Sequence, residues 1–272
     1  MKKPQHVIII GAMKAGTTTL YNHLSKHPKV CTCTKKEINY FIKKDEEKDF
    51  NVKDYRALFN EDPVQHSIFL EGSTGYAKYP KIKGVPKRIK DLGLEVKFIY
   101  LVRHPIDRIN SEIRFWQNFP HWSDPKSNLG DMMDRSNYYL QLQQYEQYFD
   151  RSSTLVLDFD ELKHNAQSVL DKVCNFLDIN EITIPHPEKI ANKSKTKTAL
   201  QIKLQRSFPK LERYVPKFVK EALKKSFKVV SKPETKFLSQ EEISEARSGL
   251  KNDILKFGEV YDFDVSKWGF SK

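Results

Sequence analysis

The chain has 272 residues, of which 39% are hydrophobic and 30% charged, enough for one large domain with a substantial core. No apolar run approaches the roughly 20 residues that cross a bilayer, which argues against a membrane-spanning helix. The formal net charge of +12 favours anionic ligands, but no nucleic-acid-binding motif appears, so we expect no nucleic-acid partner.

A strand, a loop bounded by two glycines and a helix follow one another near the N-terminus. Residues 7–10 form a β-branched run typical of a strand buried on both faces, residues 11–16 form the loop, and a helix begins at Thr17. The backbone N–H groups of such a loop and the helix N-terminus converge on one spot, where the helix dipole favours an anion. The segment predicts a phosphate-binding loop, and an ordinary strand-to-helix turn is the alternative.

The loop departs in an informative way from the nucleoside-triphosphate pattern G-x-x-x-x-G-K-[ST]. Gly11 and Gly16 keep the glycine spacing, but Thr17 stands where the lysine belongs, and Lys14 lies inside the loop. The strand predicted at 96–102 ends in Arg103, not in the aspartate that would help to hold magnesium. We therefore expect a second anion-binding group at Arg103 and no metal site.

The rest of the chain alternates between strand and helix patterns. Further strands are predicted at 27–31 (after a turn), 67–71, 96–102 and 155–159, and helices at 51–60, 86–92, 106–116, 136–149 and 166–177. An irregular segment is predicted at 119–129 and a turn at 160–162, and a capping box at Ser239 begins a helix to about residue 257. This order predicts a single α/β domain over residues 1–272, with a P-loop NTPase-like parallel sheet and helices on both faces.

Two segments together carry a family resemblance. The loop at 11–18 and the segment 103–111, which reads Arg-His-Pro-Ile-Asp-Arg-Ile-Asn-Ser, resemble the two signature motifs of the sulfotransferases. The resemblance implies that the donor is 3′-phosphoadenosine 5′-phosphosulfate (PAPS), with its phosphosulfate held by Lys14, Ala15, Gly16, Thr17, Thr18 and Thr19. It also implies that the 3′-phosphate is held by Arg103 and Ser111, and that a loop at 192–198 folds over the nucleotide with Ser194, Lys195, Thr196 and Lys197.

A Lys-Glu-x-x-x-Phe segment after the first helix is similar to one found in several carbohydrate sulfotransferases. Lys36, Glu37 and Phe41 match it, which implies that Glu37 is the general base that deprotonates the acceptor. A surface Lys–Glu pair is the alternative interpretation. His104 and His121 are competing bases, since an imidazole changes its charge near neutral pH.

The chain departs from heparan-type relatives after the strand predicted at 67–71. Many relatives have Glu-Lys-Ser-Pro-x-Tyr there, with a lysine that helps catalysis, whereas this chain has Gly72. Lys78 could supply a charge from nearby, but an exposed loop lysine is the favoured interpretation. The resemblance therefore implies sulfuryl transfer more firmly than it implies membership of the heparan group. It also implies that Lys14 stabilises the charge that develops during transfer.

The resemblance implies transfer of a sulfuryl group from PAPS to an acceptor hydroxyl, or less favourably an amine, with release of adenosine 3′,5′-bisphosphate and without a metal. Carbohydrate, glycolipid, phenol and small-alcohol acceptors stay open, and the Glu37 match slightly favours the first two. The alternative functions are a small-molecule P-loop kinase that uses ATP and a non-catalytic nucleotide- or nucleic-acid-binding module.

Cysteine usage and the basic segment at 204–228 bear on location. Cys31, Cys33 and Cys174 suit neither an easy disulfide nor a zinc site, and residues 1–4 leave no room for a signal peptide, so we expect a reduced cytoplasm. The segment 204–228 could contact an anionic membrane or a lipid-linked acceptor, although a surface helical hairpin is favoured.

Overall fold

The computed structural model describes residues 5–42, 49–62, 64–117, 119, 126–184 and 237–271. Its centre is a sheet of five parallel strands in the order β2–β3–β1–β4–β5. The strands are β1 (Gln5–Gly11), β2 (Val30–Thr32), β3 (Ile68–Gly72), β4 (Val96–Val102) and β5 (Thr154–Asp158). Each predicted strand overlaps one of these, and the predicted α/β class is confirmed.

The central position of β1 follows from its apolar sequence. Ile8 and Ile9 are fully buried although successive side chains of a strand point to opposite faces, so both faces of the sheet are covered. Ile9 lies beside Gly72 of β3 and Ile99 of β4 in the strand register. The parallel register brings the carboxyl ends of these three strands to one edge of the sheet.

Helices connect the strands, and local side chains start several of them. Asn51, Asp158 and Asn165 each accept a backbone N–H from the first turn of the helix that follows them. The helices of the described ranges are α1 (Thr17–Leu24), α2 (Val52–Arg56), α3 (Val85–Asp91), α4 (Pro105–Trp116), α5 (Leu129–Asp134), α6 (Tyr138–Glu146), α7 (Phe159–His164), α8 (Ala166–Leu177) and α9 (Gln240–Tyr261).

The capping box predicted at Ser239 is confirmed. The Ser239 hydroxyl accepts the N–H of Glu242, and the Glu242 carboxylate accepts the N–H of Ser239. The helix continues four residues beyond the predicted end, to Tyr261, and Asp262 then takes the left-handed conformation that ends it.

Three predicted segments differ from the structure for local reasons. Residues 160–162, predicted as a turn, lie inside α7, because the Asp158 carboxylate accepts the N–H of Asp160 and starts a helix directly after β5. The segment predicted to be irregular over 119–129 runs into α5, whose Leu129 is buried. The helix predicted at 51–60 ends at Arg56, since the N–H groups of Leu58 and Phe59 bond to carbonyls three residues back.

No helix within the described ranges is long and apolar enough to cross a membrane. The predicted nucleotide loop at 192–198 and the basic segment at 204–228 lie outside the residues that the structure describes, as does His121.

Candidate active site

A cavity of about 880 Å³ opens at the carboxyl ends of β1, β3, β4 and β5. From β1 the chain passes to β2 and β3, which lie on one side of β1 within the sheet. It then passes to β4 and β5, which lie on the other side of β1. Ligands of open parallel sheets bind at such a switch point. The lining side chains are Met13, Lys14, Gly16, Thr17, Thr18, Lys36, Glu37, Thr74, Lys78, Arg103, Asp107, Ser111, Arg114, Phe115, Trp116, Phe159, Asp160 and Lys163.

The loop after β1 has the geometry of an anion site. Lys14 and Gly16 have φ angles of 72° and 85°, so the chain turns sharply before α1. A Cβ atom at Gly16 would lie 2.7 Å from the Phe159 ring, and only glycine fits there. Thr17 and Thr18 line the cavity at the N-terminus of α1, where the helix dipole favours an anion.

Two residues of the predicted donor site do not line the cavity. Ala15 is fully buried and Thr19 nearly so. Their backbone N–H groups donate within the chain, to the Ala12 carbonyl at 3.1 Å and to the Gly16 carbonyl at 2.9 Å. Both residues shape the loop and the first turn of α1, and their contact with a donor stays a prediction.

Lys14 lies half-buried in the cavity wall. Its ammonium is 4.7 Å from the centroid of the Phe115 ring, within the range of a cation–π contact. Burial lowers the pKa of Lys14, the Glu112 carboxylate opposes this shift, and the Arg103 guanidinium adds to it. A partly desolvated ammonium among other cations gains from the arrival of an anion.

Arg103 and Ser111 reach the same cavity from the second motif. Arg103 Nη1 donates to the Lys14 carbonyl at 3.3 Å across 89 residues of sequence, and the guanidinium lies 4.8 Å from the centroid of Phe159. Burial lowers the pKa of Arg103, with Asp107 opposing. Ser111 lines the cavity from α4. The fold thus joins the two motifs at one site.

Glu37 also lines the cavity, and the loop that follows β3 holds its carboxylate. Its carboxylate accepts hydrogen bonds from the Thr74 N–H at 2.9 Å, the Thr74 hydroxyl at 3.2 Å and the Lys36 ammonium at 2.6 Å. The Glu37 backbone N–H donates to the Gly72 carbonyl at 2.8 Å, and its φ angle is 62°. Sequence reasoning did not single out Thr74, although its place just after a strand end was an available signal.

Lys78 is not the exposed loop lysine that the sequence suggested. It is half-buried and lines the cavity. Burial lowers the pKa of Lys78 most, and the positive charge of Arg135 lowers it further. The cause is tertiary: Gln141 of α6 accepts the N–H of Tyr79 at 2.9 Å and donates to its carbonyl at 2.8 Å, which draws this segment against the domain.

A buried ionic network contacts the loop after β1. Glu112 of α4 is fully buried and pairs with Arg108 at 2.7 Å and with Arg135 at 2.8 Å. Arg108, also fully buried, donates to the Met13 carbonyl at 3.4 Å. Burial alone would raise the pKa of Glu112, but the two guanidinium groups outweigh it and lower the pKa to about 2. The network ties α4 and α5 to the loop.

His104, the competing base that the structure describes, does not line the cavity. It caps α4, where its Nδ1 accepts the N–H of Asp107 at 3.4 Å. Burial lowers the pKa of His104. Ser194, Lys195, Thr196 and Lys197 lie outside the described residues. Within the described part of the chain, no group of three or more His, Cys, Asp or Glu side chains could hold a metal ion.

Known sulfotransferases resemble this chain in sequence and in fold. A family model described as "Sulfotransferase domain" matches residues 4–253. The mouse bifunctional heparan sulfate N-deacetylase/N-sulfotransferase 4 is 26% identical over 197 residues, which cover 63% of this chain and 22% of the mouse protein. The chain therefore spans about a fifth of the length of that curated relative.

Two solved structures share the fold. A sulfotransferase from Alicyclobacillus acidocaldarius superposes with a TM-score of 0.68 at 18% identity, over 98% of this chain and 99% of that one. A mouse sulfotransferase complexed with PAP superposes with a TM-score of 0.50 at 15% identity, over 93% of this chain and 84% of that one.

Proposed function

We propose that this chain, which belongs to the sulfotransferase domain family, moves a sulfuryl group from PAPS to an acceptor hydroxyl and releases adenosine 3′,5′-bisphosphate. One observation carries the proposal: two motifs suited to anions and the hydrogen-bonded carboxylate of Glu37 line the same cavity. Lys14, Arg103 and Glu37 all line it, and the Arg103 guanidinium bonds to the backbone of Lys14.

The donor end of the cavity suits a nucleotide with two separated anionic groups. The loop after β1, with Lys14, Thr17 and Thr18, offers an ammonium, two hydroxyls and a helix N-terminus to the phosphosulfate. Arg103 and Ser111 offer a guanidinium fork and a hydroxyl to the 3′-phosphate. A nucleotide that lacks a 3′-phosphate would leave Arg103 and Ser111 without an anion to bind.

The groups that line the cavity account for each part of the transfer reaction. The acceptor hydroxyl gives its proton to Glu37 while its oxygen forms a bond to sulfur. The bond from sulfur to the bridging oxygen breaks, and its electron pair leaves on the 5′-phosphate. Lys14 and the hydroxyls of Thr17 and Thr18 stabilise the charge that develops on the leaving phosphate and the sulfuryl oxygens. The cavity fixes both reactants in place before the step.

The acceptor class is the open part of the proposal. Lys36, Glu37, Thr74 and Lys78 line the acceptor end and present polar and cationic groups, which suit a polyhydroxylated carbohydrate or glycolipid headgroup better than a plain phenol. A small alcohol fits the same chemistry, and an amine is less favoured. Contact of the basic segment 204–228 with a membrane or lipid-linked acceptor belongs to this proposal as well.

The domain range and the cellular compartment of the protein are also proposals. The family match over residues 4–253 and the single continuous core support one domain over 1–272. Cys31, Cys33 and Cys174 are free thiols and buried, which suits a reducing compartment such as the cytoplasm.

The second candidate function, a small-molecule kinase, makes a different binding prediction. A kinase needs ATP with magnesium, whereas Thr17 stands at the Walker lysine position and Arg103 follows β4. Calorimetric titration should show binding of adenosine 3′,5′-bisphosphate without magnesium and much weaker binding of ATP with magnesium. The opposite order of affinities would favour the kinase.

The role of Glu37 is tested by separating binding from rate. Glu37→Gln should keep its affinity for adenosine 3′,5′-bisphosphate and lose roughly 10²–10⁴ in the rate of transfer, the usual contribution of a general base. Glu245→Gln, a change at an exposed position of α9, is the matched control and should keep the wild-type rate. His104→Ala and His121→Ala are assayed in parallel. Near-normal transfer by Glu37→Gln with a large loss in either histidine variant would move the base to that histidine.

A further inference from the structure

We propose that Lys36 changes its ionic partner during transfer, from the Glu37 carboxylate before the reaction to a sulfuryl oxygen once Glu37 has taken the acceptor's proton. The proposal rests on the proposed function and assigns Lys36 a catalytic role within it. It is carried by three observations: the contact between Lys36 and Glu37, the separate anchoring of Glu37, and the space beside Gly72.

The ammonium of Lys36 is held at the cavity wall. Its Nζ donates to Glu37 Oε1 at 2.6 Å, and the Lys36 side chain is 17% exposed. The Nζ atom also lies 6.0 Å from the centroid of the Tyr21 ring, at the outer limit of a cation–π contact. Lys36 and Glu37 line the same cavity as Lys14, so the ammonium faces the cavity in which the donor would bind.

Gly72 leaves the room in which the Lys36 side chain lies. A Cβ atom at position 72 would be 3.4 Å from Lys36 Cε and 3.0 Å from Tyr21 Cδ2. The stem of the lysine therefore runs along the end of β3, where a Cβ atom on the strand would contact it. A side chain longer than a methyl group at position 72 would compete with Lys36 for this space.

Glu37 does not depend on Lys36 for its position. The Thr74 N–H and hydroxyl hold Glu37 Oε2 at 2.9 Å and 3.2 Å, while Lys36 contacts Oε1. The carboxyl group can stay in place when its charge is lost. The ammonium sits at the end of a four-carbon stem and is free to turn toward another anion.

The charges of the reaction give Lys36 a reason to turn. Before transfer, Lys36 and Glu37 form a neutral pair. As the new S–O bond forms, the acceptor proton moves to Glu37, and the S–O bond to the phosphate breaks with its electron pair. Glu37 is then neutral, so Lys36 has lost its counter-ion while negative charge lies on the sulfuryl oxygens. A contact made only at that stage stabilises the transition state more than the ground state, which raises kcat.

The test compares Lys36→Met with Lys35→Met, the same change at the exposed preceding residue. Two quantities are measured: affinity for adenosine 3′,5′-bisphosphate by calorimetry, and its rate of release from PAPS with water and with pooled carbohydrate acceptors. Lys36→Met should lose roughly 10²–10³ in kcat, the usual effect of removing one oxyanion donor. Its affinity for the bisphosphate, which has no sulfuryl group, should match that of Lys35→Met.

A rescue variant separates the ammonium from a merely structural effect. In the double variant Lys36→Ala with Gly72→Lys, a lysine stem enters the vacated space from the strand side. Its kcat should exceed that of Lys36→Ala by at least about tenfold, a part of the same donor effect. Gly72→Ala alone is the control, because it places the same Cβ atom 3.0 Å from Tyr21 Cδ2 and measures the effect of that contact on kcat.

The outcomes distinguish this inference from the function on which it rests. If the wild-type protein releases no bisphosphate from PAPS under any condition, the proposed function fails and this inference fails with it. If the wild type turns over but Lys36→Met keeps the rate of Lys35→Met, only the role of Lys36 is overturned. A folded double variant no faster than Lys36→Ala would also overturn it.

Discussion

Replacement of Glu112 by glutamine should strongly destabilise the protein. Glu112 is fully buried, pairs with Arg108 and Arg135, and accepts the Trp116 indole N–H at 3.0 Å. Glutamine keeps the volume but leaves the fully buried Arg108 guanidinium without its counter-ion. Breaking a buried pair in this way costs about 3–5 kcal/mol.

The pKa of Glu112 gives a second measure of the same interaction. The guanidinium groups hold this pKa at about 2, below an ordinary carboxyl value of 4.5. At 1.36 kcal/mol per pH unit, the difference corresponds to about 3 kcal/mol. A depressed pKa stabilises the folded state above pH 4.5, and this stabilisation is lost as the pH falls toward 2. The wild-type protein should show this acid-dependent loss, and Glu112→Gln should not.

Urea unfolding at neutral pH measures the free energy of unfolding directly. Asp91→Asn is the matched control, because it removes one partner of the exposed Lys87–Asp91 pair, whose atoms are 2.7 Å apart. An exposed pair of this kind contributes little to stability, because water screens it. If Glu112→Gln lowers the free energy of unfolding by no more than Asp91→Asn does, the network does not stabilise the fold as argued.

Three further predictions concern the donor site and the helix packing. Arg103→Ala should weaken binding of adenosine 3′,5′-bisphosphate by roughly 1.5–3 kcal/mol, the range for a charged hydrogen bond, and leave binding of the 5′-monophosphate much less affected. Ser111→Ala should cost less, and equal calorimetric affinities of Arg103→Ala and wild type for both nucleotides would refute the assignment. Lys14→Ala should abolish most sulfuryl transfer and shift the melting temperature of the ligand-free protein by only a few degrees, since Lys14 faces a cavity; an active variant would remove it from the mechanism. Burial raises the pKa of Asp253 to about 6, although its carboxylate accepts two N–H groups at the start of α6. Because this pKa is raised in the folded state, ionisation of Asp253 lowers the free energy of unfolding as the pH rises through 6. The stability of Asp253→Asn relative to wild type should therefore increase from pH 4 to pH 7, as measured by urea unfolding.

The parts of the fold that local sequence determines were predictable. The β-branched run at 7–10 marks a strand buried on both faces, and the glycine spacing at Gly11 and Gly16 marks the loop. The capping box at Ser239 marks the start of α9, because its two side chains satisfy backbone groups three residues away. Periodicity and capping act over one turn or one strand, so a single sequence displays them.

The parts of the site that depend on tertiary packing were not predictable in the same way. Lys78 was expected in solvent, but its segment is drawn against α6 by the side chain of Gln141. Arg114, Phe115 and Trp116 line the cavity from the last turn of α4, where the sequence shows only an amphipathic helix. Which face of a helix meets a cavity is decided by neighbours far away in the chain.

The two loops that we propose to act in catalysis share a physical design, which is visible first at Lys14. Its φ angle of 72° is left-handed, a conformation that costs about 1–2 kcal/mol for a residue with a side chain. The neighbouring Met13 carbonyl accepts a hydrogen bond from Arg108, which is fixed in turn by the buried carboxylate of Glu112. A strained loop persists when the surrounding structure determines its shape.

The loop that carries Glu37 repeats this arrangement. The Glu37 φ angle of 62° is also left-handed, and that of Asn39 is 51°. The Asn39 N–H donates to the Ser73 hydroxyl at 3.0 Å, and Ser73 donates to Glu71 at 2.7 Å, a fully buried carboxyl group that also accepts the Tyr55 hydroxyl at 2.7 Å. Lys14 and Glu37 therefore both stand on a strained backbone that a buried carboxyl group supports from the core. Loops fixed in this way need little reorganisation when the substrates arrive, and such preorganised charge is the main source of electrostatic catalysis.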